Sequence, residues 1–161
     1  MAAALYGHSG ASFGLGYGAR STQRLLQEIG IEVLPRHLAI GSHPPDKEND
    51  IPVVSQINPC AGKSQDSQGV LLDLVHTNPN IIQRTIGLLD PRGLQAPLRV
   101  GYWAWELEAF PDGWEEAFQD YDEIWCPSSF CARSLSQRSP IPVIAVPHLL
   151  DWARLNRLAQ A

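Results

Sequence analysis

The sequence predicts an α/β fold, namely a Rossmann-like parallel sheet of about six strands with helices on both faces. Short apolar runs alternate along the chain with segments of helical periodicity. The apolar runs do not alternate apolar with polar residues, which is typical of strands that are buried on both faces of a parallel sheet. A length of 161 residues with 44% hydrophobic and 18% charged residues indicates one globular domain.

The first part of the chain predicts a strand, a glycine-rich loop, a helix and a second strand. The strand spans residues 2–7 and the loop residues 10–18. Apolar residues at helical spacing predict a helix over residues 19–29, and Gly30 follows it at the position of a C-cap glycine. The β-branched run 31–34 predicts the second strand, which the next residue, a proline, is expected to stop.

The rest of the chain continues the alternation after one long excursion. Residues 41–69 are rich in turn-forming residues and contain one possible strand at 51–56. A third strand is predicted over 70–77 and a helix over 80–89. The later elements are strand 98–103, a helix from 111 to about 119, strand 123–126, a helix capped by Ser128 or Ser129 that runs to about 137, strand 142–146 and an amphipathic helix over 149–160.

Charge and cysteine content exclude several classes of partner. The net charge is -5 without a basic cluster, so neither nucleic acid nor an anionic membrane is expected as a partner. No apolar stretch reaches the ~20 residues of a transmembrane segment, and the N-terminus lacks the features of a signal peptide. The three cysteines include no C-x-x-C pair, which predicts reduced thiols and no metal site. We therefore expect a soluble, cytoplasmic protein.

The glycine-rich segment 14–19 matches the dinucleotide pattern G-x-G-x-x-A. Glycines let backbone amides approach an anion, and the dipole of the following helix favours negative charge. However, six residues separate Gly7, where the first strand ends, from Gly14, and no acidic residue follows the second strand. Arg36 follows it instead, which suits the 2′-phosphate of NADP. A dinucleotide site, a plain turn and a loop that lines a phosphate or substrate cleft all remain open.

An aromatic and acidic segment, residues 101–114, directly follows the fourth strand. In parallel sheets, ligands bind beyond the carboxyl ends of the strands. Trp103 and Trp105 could stack on sugar rings, and the carboxylate of Glu106 could bind hydroxyl groups or act as a general base. The alternative is that the tryptophans pack in the core and the glutamates are solvated.

Two further positions lie at predicted strand ends. Ser128 follows strand 123–126 and a proline, so its hydroxyl and the next backbone amides could face a ligand. An ordinary helix cap is the alternative for this serine. His148 follows the sixth strand, and a single histidine of this kind is often structural or solvated.

Segments 101–114, 122–130 and 142–151, in this order, resemble the N-terminal domain of family-4-type glycosyltransferases, a retaining group with the GT-B fold. The glycine segment and the Val75–Asn78 stretch fit the same pattern. The resemblance covers residues 4–151, with 41–69 unassigned. It implies transfer of a sugar from a nucleotide-sugar donor, which serves as co-substrate without another cofactor, to a sugar or glycan acceptor.

The resemblance also implies residue roles. It assigns substrate binding to Gly14, Gly16, Tyr17, Trp103, Trp105, Ser128 and His148 and a catalytic role to Glu106. The two glycines would flank the donor phosphates, whereas Trp103, Trp105 and Glu106 would lie on the acceptor side of the cleft. Many members carry a His-Asp pair where this chain has Trp105 and Glu106.

The resemblance further implies a division of the protein into an acceptor-side domain, residues 1–151, and a terminal helix or truncated linker, residues 152–161. The donor domain would be a C-terminal domain of a longer protein or a separate chain. We therefore expect the isolated chain to be inactive as a hexosyltransferase. A stand-alone Rossmann-like nucleotide-binding module or an NADP-dependent oxidoreductase is the alternative.

Overall fold

The computed structural model describes residues 1–8, 14–38, 69–79 and 94–148, together with 156, 157, 159 and 160. Six strands form one sheet in the order β2-β1-β3-β4-β5-β6, and all neighbouring pairs are parallel. The strands are β1 (Ala2–Gly7), β2 (Glu32–His37), β3 (Val70–His76), β4 (Leu98–Tyr102), β5 (Glu123–Cys126) and β6 (Val143–Ala145). The helices in the described ranges are α1 (Gly14–Glu28), a 3-10 helix (Glu115–Asp120) and α2 (Ser129–Ser136). The predicted fold class is confirmed.

The sheet carries an apolar core on each of its faces. Successive residues of a strand point to opposite faces, and Leu74 and Val75 of β3 are both fully buried, one in each core. Leu26 of α1 belongs to the core of Leu74, whereas Leu135 of α2 belongs to the core of Val75. The two helices therefore cover opposite faces, as the sequence predicts.

The predicted loop over residues 10–18 is wrong from Gly14 onward, because α1 begins at Gly14. A glycine inside a helix costs about 1 kcal/mol relative to alanine, which is why the sequence favours a loop here. Tertiary packing overrides this preference, since Gly16 and Gly18 are buried. The glycine segment is thus the first part of a helix that lies close to the sheet.

The end of α1 confirms the prediction made from Gly30. This residue has a φ of +83°, the left-handed conformation that glycine adopts at little cost. Its N–H donates to the carbonyl of Gln27, and the N–H of Ile31 donates to the carbonyl of Leu26. This pair of hydrogen bonds is the Schellman motif of a helix C-terminus.

Strand β2 continues past the proline that was expected to stop it. Pro35 lies inside the strand, opposite Leu5 of β1, and β2 ends only at His37. The reason is the position of β2 at the end of the strand order. A strand in that position pairs on one side, so a proline can be accommodated without loss of a ladder hydrogen bond.

The segment after β4 also differs from its prediction. The helix expected from residue 111 is a 3-10 helix that begins at Glu115, with Trp114 at its N-cap. Gly113 has a φ of +83°, so the chain turns there before it can form a helix. The prediction for the next helix is confirmed, because Ser128 caps α2.

Several predictions lie outside the described residues. These are the excursion up to residue 68 with its possible strand, the helix predicted over 80–89 and most of the helix predicted over 149–160. None of the helices in the described ranges combines the length and the apolar character that a bilayer crossing requires.

Candidate functional site

The order of the strands defines the position, at one edge of the sheet, where open α/β folds form a ligand-binding crevice. From β1 the chain passes through α1 to β2 on one side, whereas β3 lies on the other side of β1. Such a reversal is a topological switch point, and parallel sheets bind ligands beyond the carboxyl ends of the strands at this position. The residues at these ends are His8 after β1, Leu38 after β2, and His76 and Thr77 at β3.

His8 ties the three strand ends together. Its Nδ1 lies 2.6 Å from the carbonyl oxygen of Leu38, and its Nε2 lies 3.2 Å from Oγ1 of Thr77. A carbonyl oxygen only accepts hydrogen bonds, so Nδ1 carries the proton and Nε2 accepts from the threonine hydroxyl. His8 is buried and is part of the frame of the crevice.

Three stacked rings, here called the histidine cluster, lie next to this frame: His76, Tyr102 and His148. The rings of His76 and Tyr102 are nearly parallel, with centroids 4.2 Å apart. The ring of His148 lies 5.2 Å from that of Tyr102 and 5.8 Å from that of His76. The cluster joins the ends of β3 and β4 to the segment after β6.

Gly18 of α1 closes the histidine cluster on one side. A Cβ atom at this position would lie 2.7 Å from Cε1 of His76 and 2.8 Å from Cε1 of His148. Both distances are shorter than a normal carbon–carbon contact, so only glycine lets the helix approach the two imidazoles this closely. The helix that follows the switch point is thus held against both histidine rings.

His76 is the most unusual residue of the cluster. It has no exposed surface, and in the described part of the chain neither of its ring nitrogens has a hydrogen-bond partner. Burial, and after it the neighbouring imidazole of His148, lowers the pKa of His76 to about 3, so the ring is neutral at neutral pH. Each buried polar atom without a partner costs about 1–3 kcal/mol. Groups left in this state call for an explanation, and functional sites are where such groups concentrate.

Tyr102 connects the cluster to the segment after β6. Its hydroxyl donates to the carbonyl oxygen of Val146 at 2.7 Å and lies 3.2 Å from Nδ1 of His148. Burial raises the pKa of Tyr102 and lowers the pKa of His148. The N–H of Val146 donates to the carbonyl of Cys126, which anchors this segment to β5. His148 is half-buried and completes the cluster.

Trp103 lies in the core and not on a cleft wall. Its exposed fraction is 0%, and its ring packs against the rings of Phe110, Phe118 and Tyr121. Its Nε1 has no hydrogen-bond partner and lies close to Gly101. The indole therefore has no face open to a sugar, and we correct the placement of Trp103 expected from the sequence: the alternative of a core tryptophan describes it.

Trp105 and Glu106 lie in the segment that follows. Trp105 is partly buried against Trp114, with ring centroids 5.1 Å apart, and its Nε1 donates to the carbonyl of Ala109. Glu106 is exposed. The side-chain amide of Asn78 holds the segment in place, because it both donates to and accepts from the backbone of Ala104. In the described part of the chain no hydrogen bond or ring contact joins Trp105 or Glu106 to the histidine cluster.

The remaining predicted residues lie on the two helices. Gly14 is exposed and Gly16 is buried in α1, while Tyr17 is 41% exposed on the same helix. Oγ of Ser128 accepts from the N–H of Cys131 and donates to the sulfur of that residue. The serine therefore serves as the cap of α2, and both of its hydrogen bonds are made within that helix start.

Four residues of this site, His8, Gly18, His76 and Tyr102, have no assigned role among the predictions from the sequence. One signal could have found the histidines: β1 is followed by a histidine, and β2 and β3 each end with one. Parallel strands bring their carboxyl ends to one edge, so repeated polar residues at these positions predict a common site. The contact of Gly18 with two rings has no such signal, because it depends on how α1 packs.

Two further properties of the described residues concern metal binding and the state of the cysteines. No group of three or more His, Cys, Asp or Glu side chains among them is arranged to hold a metal ion. Cys126 and Cys131 are free, buried thiols, and burial raises the pKa of Cys126 to about 11.

No protein-family model and no curated protein sequence matches the chain.

Proposed function

We propose that this chain is the acceptor-side domain of a GT-B glycosyltransferase, which transfers a sugar from a nucleotide-sugar donor to a sugar or glycan acceptor. The observation that carries the proposal is the position of the histidine cluster. A fully buried imidazole, which has no hydrogen-bond partner within the described ranges, lies at the switch point of a parallel sheet, against a helix that begins with glycines. This is the place where α/β sheets bind ligands.

The crevice combines two kinds of groups that a nucleotide-sugar reaction requires. The start of α1 offers a helix N-terminus, whose amides and dipole favour a phosphate, and Gly14 and Tyr17 there are exposed. The other side offers the half-buried, neutral imidazole of His148, which suits uncharged hydroxyl groups. In this proposal Gly14, Gly16 and Tyr17 face the donor phosphates.

Trp105, Glu106 and His148 face the acceptor side in the same proposal. Trp105 is partly buried and Glu106 exposed, so both remain available to a ligand. Trp103 instead supports the segment from the core and Ser128 caps α2. The donor-binding half belongs to a C-terminal domain or to a separate chain, and the domain by itself has no transferase activity.

The proposal is tested by titration of the ¹⁵N-labelled chain with UDP-glucose, followed by amide chemical shifts. We expect UDP-glucose to shift the amides of Gly14, Gly16 and Tyr17 and the signals of His148. The amide of Glu116, an exposed residue of the 3-10 helix, is the internal control and should not move. Inorganic phosphate tests whether an anion alone gives the same response at α1.

NADP⁺ is the competing probe, because Arg36 lies near the carboxyl end of β2, where an arginine can bind the 2′-phosphate of NADP. A response to NADP⁺ in place of UDP-glucose would support the nucleotide-binding alternative and reject the transferase. The coding sequence immediately downstream supplies the second test. If it encodes a donor domain, joining that domain to this chain should give transfer activity that neither half has alone. Transfer activity of this chain by itself would contradict the proposal that acceptor and donor are bound by two separate domains.

A further inference from the structure

The hydrogen bonds of Tyr102 fix the protonation of His148. A tyrosine hydroxyl has one hydrogen, and Tyr102 donates it to the carbonyl oxygen of Val146 at 2.7 Å. The contact of 3.2 Å between the tyrosine oxygen and Nδ1 of His148 is then a hydrogen bond in which the imidazole donates. His148 therefore carries its proton on Nδ1, and its Nε2 carries a lone pair.

Among the described residues, the other nitrogen of His148 has no hydrogen-bond partner. No hydrogen bond reaches Nε2 from any described residue, and His148 is half-buried, in contrast to the fully buried His76. The two stacked rings and Gly18 hold the imidazole in one orientation. Nε2 is therefore a hydrogen-bond acceptor in a fixed position at the crevice.

We propose that Nε2 of His148 accepts a hydrogen bond from a hydroxyl group of a polyhydroxylated ligand, and that Tyr102 is the positioning residue that keeps this nitrogen unprotonated. A lone pair attracts a hydroxyl hydrogen and repels a phosphate oxygen, so this position selects the uncharged, sugar-like part of a ligand. The inference rests on the proposed transferase function and assigns a specific recognition role to one of its residues.

The pair Tyr102 and His148 resembles the arrangement at His8, where the carbonyl oxygen of Leu38, in place of a tyrosine oxygen, fixes the proton on Nδ1. The difference is that Nε2 of His8 accepts from Thr77 within the protein. At His148 the same nitrogen is left for a ligand. The two histidines thus form an internal comparison, in which one has a satisfied lone pair and the other has an open one.

The first test is the tautomer of His148, measured by long-range ¹H–¹⁵N correlation in the free chain. We expect the Nδ1–H form, with His8 in the same form as internal reference. Tyr102→Phe should shift His148 toward the Nε2–H form, because Nδ1–H loses its acceptor. The control is Tyr121→Phe, which removes a buried hydroxyl that has no partner and should leave the tautomer unchanged. An Nε2–H form in the unmodified chain would overturn the proposal.

The second test uses methyl α-D-glucoside as the uncharged probe and inorganic phosphate as the anionic probe. We expect the glucoside, and not phosphate, to move the Nε2 resonance of His148. Tyr102→Phe should weaken this binding about fivefold, the loss that corresponds to one net hydrogen bond, while Tyr121→Phe should not change it. His148→Gln should abolish the specific response.

A response of Nε2 to phosphate alone, or to neither probe, would refute the role of His148. These outcomes are distinct from failure of the transferase proposal, which is decided by UDP-glucose at the start of α1 and by the joined donor domain. A glucoside response at His148 with NADP⁺ binding at α1 would retain the recognition role and reject the transferase. The first test, the tautomer of His148 in the free chain, requires no ligand, so its outcome does not depend on the transferase proposal.

Discussion

Two aromatic groups meet at the end of β4, and they lie on opposite faces of the sheet. Tyr102 belongs to the histidine cluster on one face of the sheet, whereas its neighbour Trp103 belongs to the opposite core. The core of Trp103, here called the tryptophan cluster, contains Trp103, Phe110, Phe118 and Tyr121. The rings of the tryptophan cluster pack against each other in an apolar core, whereas the rings of the histidine cluster stack at the ends of β3 and β4. Both clusters contain buried polar atoms that have no hydrogen-bond partner among the described residues.

A high density of aromatic residues in a sequence is therefore a poor guide to a binding site. The aromatic segment after β4 is the strongest local pattern in the chain, and its first tryptophan lies in the core. The histidine cluster instead gathers residues 76, 102 and 148 from three distant parts of the chain. Four predictions test whether the tryptophan cluster and the histidine cluster have these different roles.

The largest effect is expected for Trp103→Ala. Truncation of a fully buried tryptophan leaves a cavity and lowers the free energy of unfolding by about 3–5 kcal/mol. Trp105→Ala is the matched control, because this tryptophan is only partly buried and should cost clearly less. Urea denaturation of both variants measures the difference. A larger loss for Trp105 would show that the tryptophan cluster is not the core of this face.

The second prediction concerns pH and the histidine cluster. In the unfolded chain His76 titrates near 6.5, whereas in the folded protein burial lowers its pKa to about 3. The unfolded state therefore binds an additional proton between these values, so stability falls as the pH drops below about 6.5 and is unaffected above it. From about pH 7 to about pH 5 the expected loss is about 2 kcal/mol.

The lowered pKa of His148 adds to this loss in the same direction. Urea midpoints at a series of pH values measure the effect, and His76→Gln should have a flatter profile over this range. Equal slopes in the two proteins would mean that His76 is not held neutral by burial.

The third prediction compares two glycines of the same helix. Gly18→Ala places a Cβ against the rings of His76 and His148. The cost of overpacking, offset in part by the better helix propensity of alanine, leaves a net destabilisation of about 1–2 kcal/mol. Gly14→Ala meets nothing within 4 Å and should be neutral or slightly stabilising. Thermal unfolding of both variants tests this; equal effects would mean that α1 does not press on the cluster.

The smallest effect is expected for two buried tyrosines, one from each cluster. Tyr102→Phe removes a hydroxyl that hydrogen-bonds to Val146 and should cost about 1 kcal/mol. Tyr121→Phe removes a buried hydroxyl without a partner and should be neutral or stabilising. Chemical denaturation of the two variants in parallel measures the difference. If Tyr121→Phe is the more harmful change, its hydroxyl has a role that the geometry does not indicate.

Much of the fold could be predicted from local pattern, and the misses have identifiable causes. Buried strands and helix ends were predicted correctly because their signals are local. An apolar run indicates the strand that contains it, and Gly30 and Ser128 each set the end of the adjacent helix. The strand through Pro35 was missed because only its place in the sheet makes the proline tolerable. The glycines of α1 were taken for a loop because their helix propensity is poor, and burial against the sheet outweighs it.

The candidate site was predicted less well than the fold. His148 was assigned to the site through the family resemblance, whereas His76 and Gly18 entered only as members of longer matching stretches. Burial decides whether a tryptophan or a histidine can meet a ligand, and burial depends on residues far away in the chain. Trp103 shows this most directly, since the local pattern around it is the same whether it lines a cleft or fills the core.

The class of the fold could be predicted from the sequence alone. The alternation of apolar runs and helical periodicity is a local property, which can be recognised without knowing which segments contact each other in the folded protein. Only the tertiary structure decided which polar groups lie together and which lack partners. The order of the strands brings His8, His76 and Tyr102 to one edge, and the approach of α1 sets Gly18 against two imidazoles. These juxtapositions arise from packing between residues as far apart in the sequence as Gly18 and His148, a distance over which no short-range pattern carries information.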